Sequence, residues 1–598
     1  MGLTALIAAS LGAKATGWPA NYQGVMLQGF YWDSYSDSKW SVLESKADEY
    51  SKYFSLIWVP NSAKPASSPS MGYDPVYWFT NHSSSFGTEK QLRSMIDTYK
   101  AKGVGIIEDV VVNHRSGRSN WYDFPSESWN GKTWHLTTGS ICSTDEVWRD
   151  GGHGCPASYK GNADTGEDFG SSRDLDHTNA TVQDNVKNYC KFLIDDLGYV
   201  GFRLDMVKGY DGKYTKIYNQ YSKPQFSVGE CFDGSYDVCA AWIEATGKES
   251  AAFDFPMKFQ LNKAFPSASS YNLTELCWTN PSGALQPAGL VHYGYTQYAV
   301  TFVENHDTYR DHNKFNGNVL AANAFILCSP GTPCVFLAHY KQNTAAIQKL
   351  IEARNEVGIH NLSAVKVIKC TSNCYLAEVT GTRGKLMVRI GTTSDGPTDN
   401  SYKQKCSGTG YAVWTTASGS SADSYPATLY LLGHTNGYAW AANKGLSAKG
   451  DKGVYKWTNV SIDNAENGYG FFAFSTRLGS SADDWDNLNS SDRYGALTKD
   501  ELIGAGQTKT MKLDAANTEA SSSNSWKIAH GNYNITADLS TMRISVANVE
   551  TGIEEIYNID DEDDAPAEYF TLQGVKVSNP THGIYIRVKG HKVEKVLL

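Results

Sequence analysis

Four short segments of the chain each join an apolar run to side chains that can do acid–base chemistry. Gly-Phe-Arg-Leu-Asp ends at Asp205, Val-Gly-Glu at Glu230 and Phe-Val-Glu-Asn-His-Asp at Asp307, while Asp-Val-Val-Val-Asn-His runs from Asp109 to His114. In a parallel α/β barrel the carboxyl ends of the strands meet at one face, where the active sites of that fold lie. Three carboxylates at such a face predict glycosidic bond cleavage, which needs a carboxylic acid and a carboxylate.

The residue types around two of these acids predict different roles. Arg203 lies two residues before Asp205 and therefore on the same strand face, where its cation would keep the aspartate ionised, as suits a nucleophile. A partly shielded Glu230 would have a raised pKa and could donate a proton. Asp307 would stabilise developing charge. Taken singly, each acid is more often a strand cap or a salt-bridge partner, but their joint order and placement disfavour that interpretation.

The elements that must position these residues alternate between strands and helices. Helical spacing of apolar residues marks 91–102 and 181–197, the second preceded by the N-cap candidate Asn179. Alternation of this kind predicts a parallel sheet, and eight units can close into a (β/α)8 barrel. The eight strand-like runs are 25–32, 56–60, 105–113, 201–205, 226–232, 251–255, 299–307 and 332–337.

A long irregular excursion separates the third predicted strand from the fourth. Residues 115–200 are rich in Gly, Asp, Ser and Trp, and a loop of this length is usually functional or stabilised by something other than a core. Oxygen ligands clustered in a loop bind calcium well. From spacing alone, a calcium site and a solvated acidic loop remain equally open; the acids concerned are Asp145, Asp164, Asp168 and Asp174.

The pattern changes after the eighth strand. A helix at 344–357 and alternating strands at 374–380 and 385–390 predict a small antiparallel domain, and strand-like runs beyond a Ser/Ala/Gly stretch predict a β-sandwich. The predicted organisation is a signal peptide at 1–16, a barrel at 21–114 and 201–345, an insertion at 115–200, an antiparallel β domain at 346–416, a linker at 417–427, the sandwich at 428–548, and an acidic linker with a β-like tail at 549–598.

Composition excludes several classes of partner. The 598 residues are too many for one core, and a net charge of -10 without a basic stripe argues against nucleic acid. No apolar run is long enough to span a bilayer, so residues 1–16 are interpreted as an export signal that lacks the usual positive start. The 11 cysteines cannot all pair internally; the candidate pairs are Cys142 with Cys155 and Cys370 with Cys374, and buried free thiols are favoured elsewhere. We expect a monomer.

These motifs, over about residues 23–416, resemble the α-amylase family of retaining glycoside hydrolases, and within it the plant-type α-amylases. The likeness includes Gly-Tyr-Asp-Pro from Gly72, Asn-Ala-Asp-Thr-Gly-Glu-Asp-Phe-Gly from Asn162 and Asp-Leu-Asp-His from Asp174. The resemblance implies that Asp205 is the nucleophile, Glu230 the acid/base and Asp307 the transition-state stabiliser. It also implies that the subsite of the cleaved sugar is lined by Tyr73, His114, Arg203, Lys208 and His306.

The same resemblance implies structural calcium and favours metal over a solvated loop. The first ion would be held by Asn113, Asp164, Asp174 and the backbone carbonyls of Glu167 and Gly209, and a second ion would share Asp145, Asp168 and Asp174. The chain departs from the family at Glu108, where a smaller or neutral residue is usual, and at Glu304, where Asp is frequent.

Residues 429–546 resemble the starch-binding β-sandwich modules of bacterial outer-membrane glycan-capture proteins, with Trp440, Trp457 and Trp485 as candidates for a stacking platform or for core. The tail is similar to segments of secreted or surface proteins. The expected protein is an exported, calcium-stabilised enzyme that cleaves internal α-1,4 bonds of starch and α-1,4-glucan oligosaccharides with retention. The alternatives are a maltogenic or transglycosylating enzyme of the same family, or a non-catalytic surface glucan-binding protein.

Overall fold

The chain separates into two units, residues 1–421 and 422–598. The computed structural model describes residues 17–148, 155, 159–310, 312–416, 425–450, 453–463, 466–514, 524–539, 542–549, 568–571, 576–577, 584–589 and 592–597. The predicted signal peptide, residues 417–424 of the predicted linker at 417–427, and the acidic run at 560–564 lie outside these residues. Among the described helices, none is long and apolar enough to cross a membrane.

Eight parallel strands close into a barrel at the centre of the first unit. Around the barrel their order is β1-β8-β7-β6-β5-β4-β3-β2, and every neighbouring pair is parallel. All eight predicted strands are thereby confirmed. They are β1 Met26–Gln28, β2 Leu56–Val59, β3 Gly105–Val110, β4 Gly201–Leu204, β5 Phe226–Gly229, β6 Ala251–Phe253, β7 Ala299–Phe302 and β8 Thr332–Phe336.

Helices between the strands supply the outer layer of the unit, and local chemistry sets where two of them begin. Thr88 and Gln91 form a capping box at the start of the helix Glu89–Ala101. The predicted cap Asn179 accepts a hydrogen bond from Thr181 N at 2.8 Å at the start of the helix Ala180–Asp195. The helices of this unit are Trp40–Ser45, Ala47–Tyr50, Glu89–Ala101, Ala180–Asp195, Gly212–Ser222, Tyr236–Ala245, Phe255–Ala264, Val319–Leu327 and Leu337–Val357.

Where the structure describes it, the excursion after β3 contains only short elements before its long helix. Two small antiparallel pairs form, one of which joins His114–Arg115 to Arg173–Asp174. This pair returns the far end of the excursion to the carboxyl end of β3. Among the described residues of the excursion, the other strands and the 3-10 turns are Glu127–Trp129, Lys132–Trp134, Thr138–Ser140 and Glu146–Trp148.

A five-stranded antiparallel sheet follows the barrel, and its disulfide differs from the predictions. Cys370 bonds to Cys277, while Cys374, Cys142 and Cys155 are free and buried, so both candidate pairs were wrong. In the hairpin, Cys370 lies opposite Tyr375 and packs towards the main core, whereas Cys374 packs into a separate small cluster. The strands are Ala364–Thr371, Cys374–Thr380, Lys385–Gly391, Lys403–Gly408 and Tyr411–Thr415; Cys277 lies in the hairpin Cys277–Thr279 with Leu285–Pro287.

The second unit contains two sheets that share one hydrophobic core, as expected of a β-sandwich. Their strand pairs are antiparallel except that Glu501–Leu502 pairs in parallel with Trp526–Ala529. Trp457 and Trp526 lie in that core. One sheet contains Thr428–Gly433, Leu446–Lys449, Tyr469–Ser475, Arg493–Gly495, Glu501–Leu502, Lys512–Asp514 and Trp526–Ala529, and the other Val454–Ile462, Gln507–Thr510, Gly531–Asp538 and Arg543–Asn548; the helix is Trp485–Asn489. Four tail strands, Glu568–Phe570, Lys576–Val577, Ile584–Lys589 and Lys592–Leu597, form a further sheet.

Glu108 is one of the two positions at which the sequence departs from the pattern that it otherwise resembles. Its carboxyl is fully buried on β3. Ser62 donates to its Oε1 from both its backbone N, at 2.7 Å, and its hydroxyl. Burial raises the pKa of Glu108 to about 8, an effect that Asp109 reinforces and the Ser62 bonds oppose. The side chain is therefore protonated at neutral pH, which removes the cost of an unpaired buried charge.

Replacement of Glu108 by Gln should make stability less dependent on pH. In the folded chain the Glu108 carboxyl keeps its proton to about pH 8, whereas in the unfolded chain it loses the proton near pH 4.5. The stabilisation that this group contributes is therefore complete below about pH 4.5 and is lost as the pH rises through about 8. Melting curves between about pH 5 and pH 9 should show Glu108→Gln close to the native chain in acid and several degrees more stable in base.

The control is Glu304→Gln. Glu304 is ionically paired to Lys258, with 3.1 Å between Oε1 and Nζ and both side chains fully buried, so its loss should lower the melting temperature at every pH. Parallel curves for the native chain and Glu108→Gln across the whole range would contradict the buried-proton interpretation.

Candidate active site

The guanidinium of Arg203 lies at the centre of a group of carboxylates at the carboxyl end of the barrel. Its Nη1 is 2.5 Å from Asp109 Oδ1 and 2.6 Å from Asp205 Oδ1, and its Nη2 is 2.8 Å from Glu230 Oε1. Arg203 lies on β4 and Asp205 directly follows that strand. Burial opposes the charge on Arg203, but Asp109, Glu230 and Asp205 together raise its pKa well above the ordinary value. The arginine is a permanent cation in this site.

Glu230 follows β5, and its carboxyl reaches back to the segment after β4. Its Oε2 accepts a hydrogen bond from Met206 N at 2.9 Å, and Met206 has left-handed backbone angles, a strained state that occurs often at functional sites. Burial raises the pKa of Glu230 well above its ordinary value, with Asp205 and Asp307 adding to the effect and Arg203 opposing it. Glu230 can therefore hold a proton that it could donate.

Asp307 is connected to this group by the contacts of His306. The Nε2 atom of His306 lies 3.2 Å from Asp307 Oδ2 and also contacts the hydroxyl of Tyr73. Burial lowers the pKa of His306 far below its ordinary value, so the ring is neutral. Because Gln28 Nε2 donates to Nδ1 at 3.0 Å, the ring carries its proton on Nε2, directed at the hydroxyl and carboxylate.

Asp109 is a site residue to which the sequence pattern assigned no role. Besides the Arg203 contact, its Oδ2 accepts hydrogen bonds from Tyr73 Oη at 2.7 Å and Trp58 Nε1 at 3.2 Å. Burial raises the pKa of Asp109 to about 7, against the opposing effect of Arg203. A signal was present, since Asp109 opens the same motif that ends at His114, and Asp109 and Arg203 are partners in the register of β3 and β4.

Three aromatic rings stack beside these carboxylates, and of the three only Trp32 was not predicted from the sequence. The rings of Trp32, Tyr73 and His306 are nearly parallel, with interplanar angles of 10° between Trp32 and Tyr73 and 4° between Trp32 and His306. The guanidinium carbon of Arg310 lies 3.3 Å from the centroid of Trp32. These contacts hold the two polar rings in fixed orientations.

His114 and Lys208, the remaining predicted sugar ligands, lie at the edges of this group. His114 is stacked on Phe169 at 4.1 Å and donates from Nε2 to the Tyr73 carbonyl at 2.9 Å. Burial lowers the pKa of His114, so the ring is neutral. Lys208 Nζ lies 2.8 Å from Glu167 Oε1 and 3.0 Å from Asp233 Oδ2. The structure thus brings all predicted catalytic and sugar-binding residues to one end of the barrel.

A group of three carboxylates in the excursion could hold a metal ion. Ligand atoms of Asp164, Asp168 and Asp174 all lie within 4.8 Å of one another. Burial and the neighbouring aspartates raise the pKa of Asp174 to about 9. Asp164 Oδ2 and Asn113 Oδ1 are buried oxygens without a hydrogen-bond partner among the described residues. Crowded carboxylates and unpartnered buried oxygens fit a hard cation such as calcium.

The other predicted metal ligands divide into two kinds. Gly209 lies close to Asn113, since a Cβ at Gly209 would be 2.1 Å from Asn113 Oδ1. Glu167 is held next to Gly209, because its backbone N donates a hydrogen bond to Lys208 O. Asp145 falls outside the three-carboxylate group. Its oxygens accept hydrogen bonds from Val147 N and Asp174 N, at 2.8 and 2.9 Å, so it supports the backbone of the group.

Two family models match parts of the first unit. Residues 54–344 match the alpha-amylase catalytic domain and residues 356–415 the alpha-amylase C-terminal beta-sheet domain. Probable alpha-amylase 2 of Arabidopsis thaliana is 31% identical over 419 residues, which cover 65% of this chain and 93% of that protein.

Two further relatives are similar over shorter shares of their own length. Alpha-amylase 3, chloroplastic, of Arabidopsis thaliana is 30% identical over 66% of this chain and 44% of that protein. Glucan 1,4-alpha-maltohexaosidase of Bacillus sp. (strain 707) is 23% identical over 48% of this chain and 63% of that protein.

Proposed function

The chain belongs to the α-amylase family of glycoside hydrolases, and on that basis we propose that it cleaves internal α-1,4 bonds of starch and related glucans with retention of configuration. The observation that carries the proposal is the Arg203 guanidinium, which contacts Asp205 with one nitrogen and Glu230 with the other. Two carboxyl groups bound to one guanidinium are held close together, as a retaining mechanism requires, with a typical separation of about 5 Å.

The proposed reaction assigns one role to each acid. Asp205, ion-paired to Arg203, attacks the anomeric carbon while Glu230, protonated because it is buried, gives its proton to the departing glycosidic oxygen. The product is a glycosyl ester on Asp205. Water then attacks the same carbon, Glu230 recovers the proton, and Asp205 leaves as a carboxylate.

Asp307 and the neutral histidines would act on the sugar. The proton on His306 Nε2 and the carboxylate of Asp307 lie side by side, so they can bind hydroxyl groups of the distorted ring as donor and acceptor. His114, fixed by Phe169 and the Tyr73 carbonyl, and Lys208 would complete the subsite.

We further propose that the three-carboxylate group binds calcium. Asn113, Asp164, Asp168 and Asp174, with the carbonyls of Glu167 and Gly209, would hold the ion. When bound, calcium would supply structural charge neutralisation. Because Asn113 follows β3 and Gly209 follows the end of β4, this ion would tie the excursion to the catalytic end of the barrel.

Glu230→Gln should reduce reducing-sugar release from soluble starch by about 10²–10⁴-fold, since general acid–base groups contribute roughly that much. The native enzyme should also lose activity on the alkaline side as Glu230 gives up its proton, and the residual activity of the variant should lack that limb. Glu244→Gln, an exposed glutamate paired to Lys248, is the control. Equal rates for Glu230→Gln and the native chain would refute the assignment, and no release by the native chain would favour a non-catalytic glucan-binding protein.

The products formed from amylose should separate the hydrolytic alternatives. Internal cleavage should abolish iodine staining early, while few reducing ends have formed, and should leave oligosaccharides of mixed length. A single short product from the first time points would indicate a maltogenic enzyme. Products longer than a purified oligosaccharide substrate would indicate transglycosylation.

Calcium removal should lower the melting temperature and the activity together, because the free energy of calcium binding to the folded site adds to the free energy of unfolding. This contribution is about 2.7 kcal/mol when the free ion is at 100 times its dissociation constant. Asp168→Asn should raise the melting temperature in excess chelator, where it relieves repulsion, and lower it in calcium, where it removes a ligand. Asp184→Asn, on the surface of the helix Ala180–Asp195, should show no such reversal. An unchanged melting curve in chelator would disprove the site.

A further inference from the structure

Asp307 lies in a tight turn that follows shortly after β7. Asn305 Oδ1 accepts hydrogen bonds from Asp307 N at 3.1 Å and from Thr308 N at 2.8 Å. The Thr308 hydroxyl in turn accepts a hydrogen bond from Asn305 N at 3.1 Å. These local bonds define the backbone of the turn, but they do not join it to other elements of the barrel.

Glu304 connects this turn to a later part of the same segment. Its Oε1 accepts a hydrogen bond from the Thr308 hydroxyl, and its Oε2 accepts one from Phe315 N at 2.7 Å. Glu304 is buried, and the low local dielectric strengthens both bonds. The carboxylate therefore holds together the two sides of the segment that carries Asp307.

Lys258 joins that segment to the helix Phe255–Ala264, which follows β6. Its Nζ lies 3.1 Å from Glu304 Oε1 and donates to the Asn313 carbonyl at 3.0 Å and to Asn262 Oδ1 at 2.9 Å. Asn262 Nδ2 donates to the same Asn313 carbonyl at 2.8 Å. The helix therefore contacts the segment after β7 at two points, Glu304 and Asn313, through a fully buried ammonium.

Asp307 needs such support because its own carboxylate is partly open to solvent. Its side chain is 29% exposed, whereas those of Glu304 and Lys258 are fully buried. A carboxylate that has to contact a substrate must leave part of its surface open, so its position depends on the backbone that carries it. A displacement of about 1 Å at a catalytic group can lower the rate about 100-fold.

We propose that Glu304 and Lys258 are positioning residues for Asp307. Their ion pair fixes where the turn lies relative to the barrel, and thereby where the Asp307 carboxylate meets the sugar. The inference rests on the proposed function, which gives Asp307 its role. A buried ion pair can also serve stability alone, since loss of one partner leaves an uncompensated charge. The test must therefore separate a loss of stability from a displacement of Asp307.

A double-mutant cycle with Asp307→Asn makes this separation. The probe is acarbose, a pseudo-oligosaccharide whose flattened, nitrogen-linked ring resembles an oxocarbenium-like transition state, titrated into the full-length chain by calorimetry. In the native background Glu304→Gln should weaken acarbose binding at the Asp307 site by about tenfold. In the Asp307→Asn background, where no carboxylate is left to misplace, it should weaken binding less than about twofold, because coupled residues are not additive. The melting temperature should fall equally in both backgrounds.

Two further variants keep the test decisive if Glu304→Gln folds poorly. Lys258→Met removes the other partner of the ion pair. Thr308→Val keeps the ion pair and removes the hydroxyl that joins the turn to Glu304. Both should show the same dependence on Asp307. In hydrolysis of maltoheptaose, all three variants should lower kcat more than they change KM, because an interaction made in the transition state is lost.

The control is Glu127→Gln, which alters a second buried ion pair. Glu127 Oε1 lies 2.6 Å from Arg115 Nη2, and each side chain is 1% exposed. This variant should also lower the melting temperature. Any effect that it has on acarbose binding should be equal with and without the Asp307 carboxylate.

The outcomes separate this inference from the proposed function. Equal weakening of acarbose binding in both backgrounds by all three variants would overturn the inference, as would coupling of the same size between Glu127 and Asp307. Because the cycle measures binding, a chain that binds acarbose without hydrolysing starch would contradict the proposed function alone. Absence of acarbose binding by the native chain would contradict both.

Discussion

The ion-paired guanidinium of Arg203 is the interaction on which the catalytic end of the barrel depends. A cation with only 1% side-chain exposure is tolerable only when its charge is matched and its N–H groups are bonded. The matching carboxylates come from β3 and from the ends of β4 and β5, so the pairing requires three neighbouring strands in one register. One positive charge cannot balance all three acids, and burial with like-charged neighbours raises the pKa of Glu230 well above its ordinary value, so that this carboxyl can keep a proton.

Much of the barrel could be predicted because its signals are local. Each strand is a short buried run, and several are followed closely by polar residues, as at Leu204 and Asp205. The caps at Thr88 and Asn179 use chemistry visible within four residues. Convergence of Asp205, Glu230 and Asp307 then follows from the parallel topology, which places all strand ends on one face. The strands proved shorter than predicted at their carboxyl ends because the catalytic residues themselves lie just beyond the ladder.

The features that sequence patterns did not predict depend on contacts between distant positions. Cys370 has a cysteine four residues away, yet bonds to Cys277 at a separation of 93 residues, because its hairpin directs it to a different face from Cys374. Asp109 was visible as the start of a motif, but its role depends on Arg203 and Tyr73 arriving from other segments. Asp145 has the residue type of a metal ligand, but it lies outside the three-carboxylate group and accepts hydrogen bonds from Val147 N and Asp174 N, which the sequence pattern does not show.

Buried carboxylates of the first unit are neutralised in different ways, and the differences bear on the proposed calcium site. Glu304 is neutralised by Lys258, and Glu108 keeps a proton. The group of Asp164, Asp168 and Asp174 is different, because a proton on Asp174 neutralises one carboxylate and leaves the other two together. A divalent cation would neutralise two at once and could also bind Asn113 Oδ1, which has no hydrogen-bond partner among the described residues. The arrangement of these oxygens is what supports the calcium site that we propose.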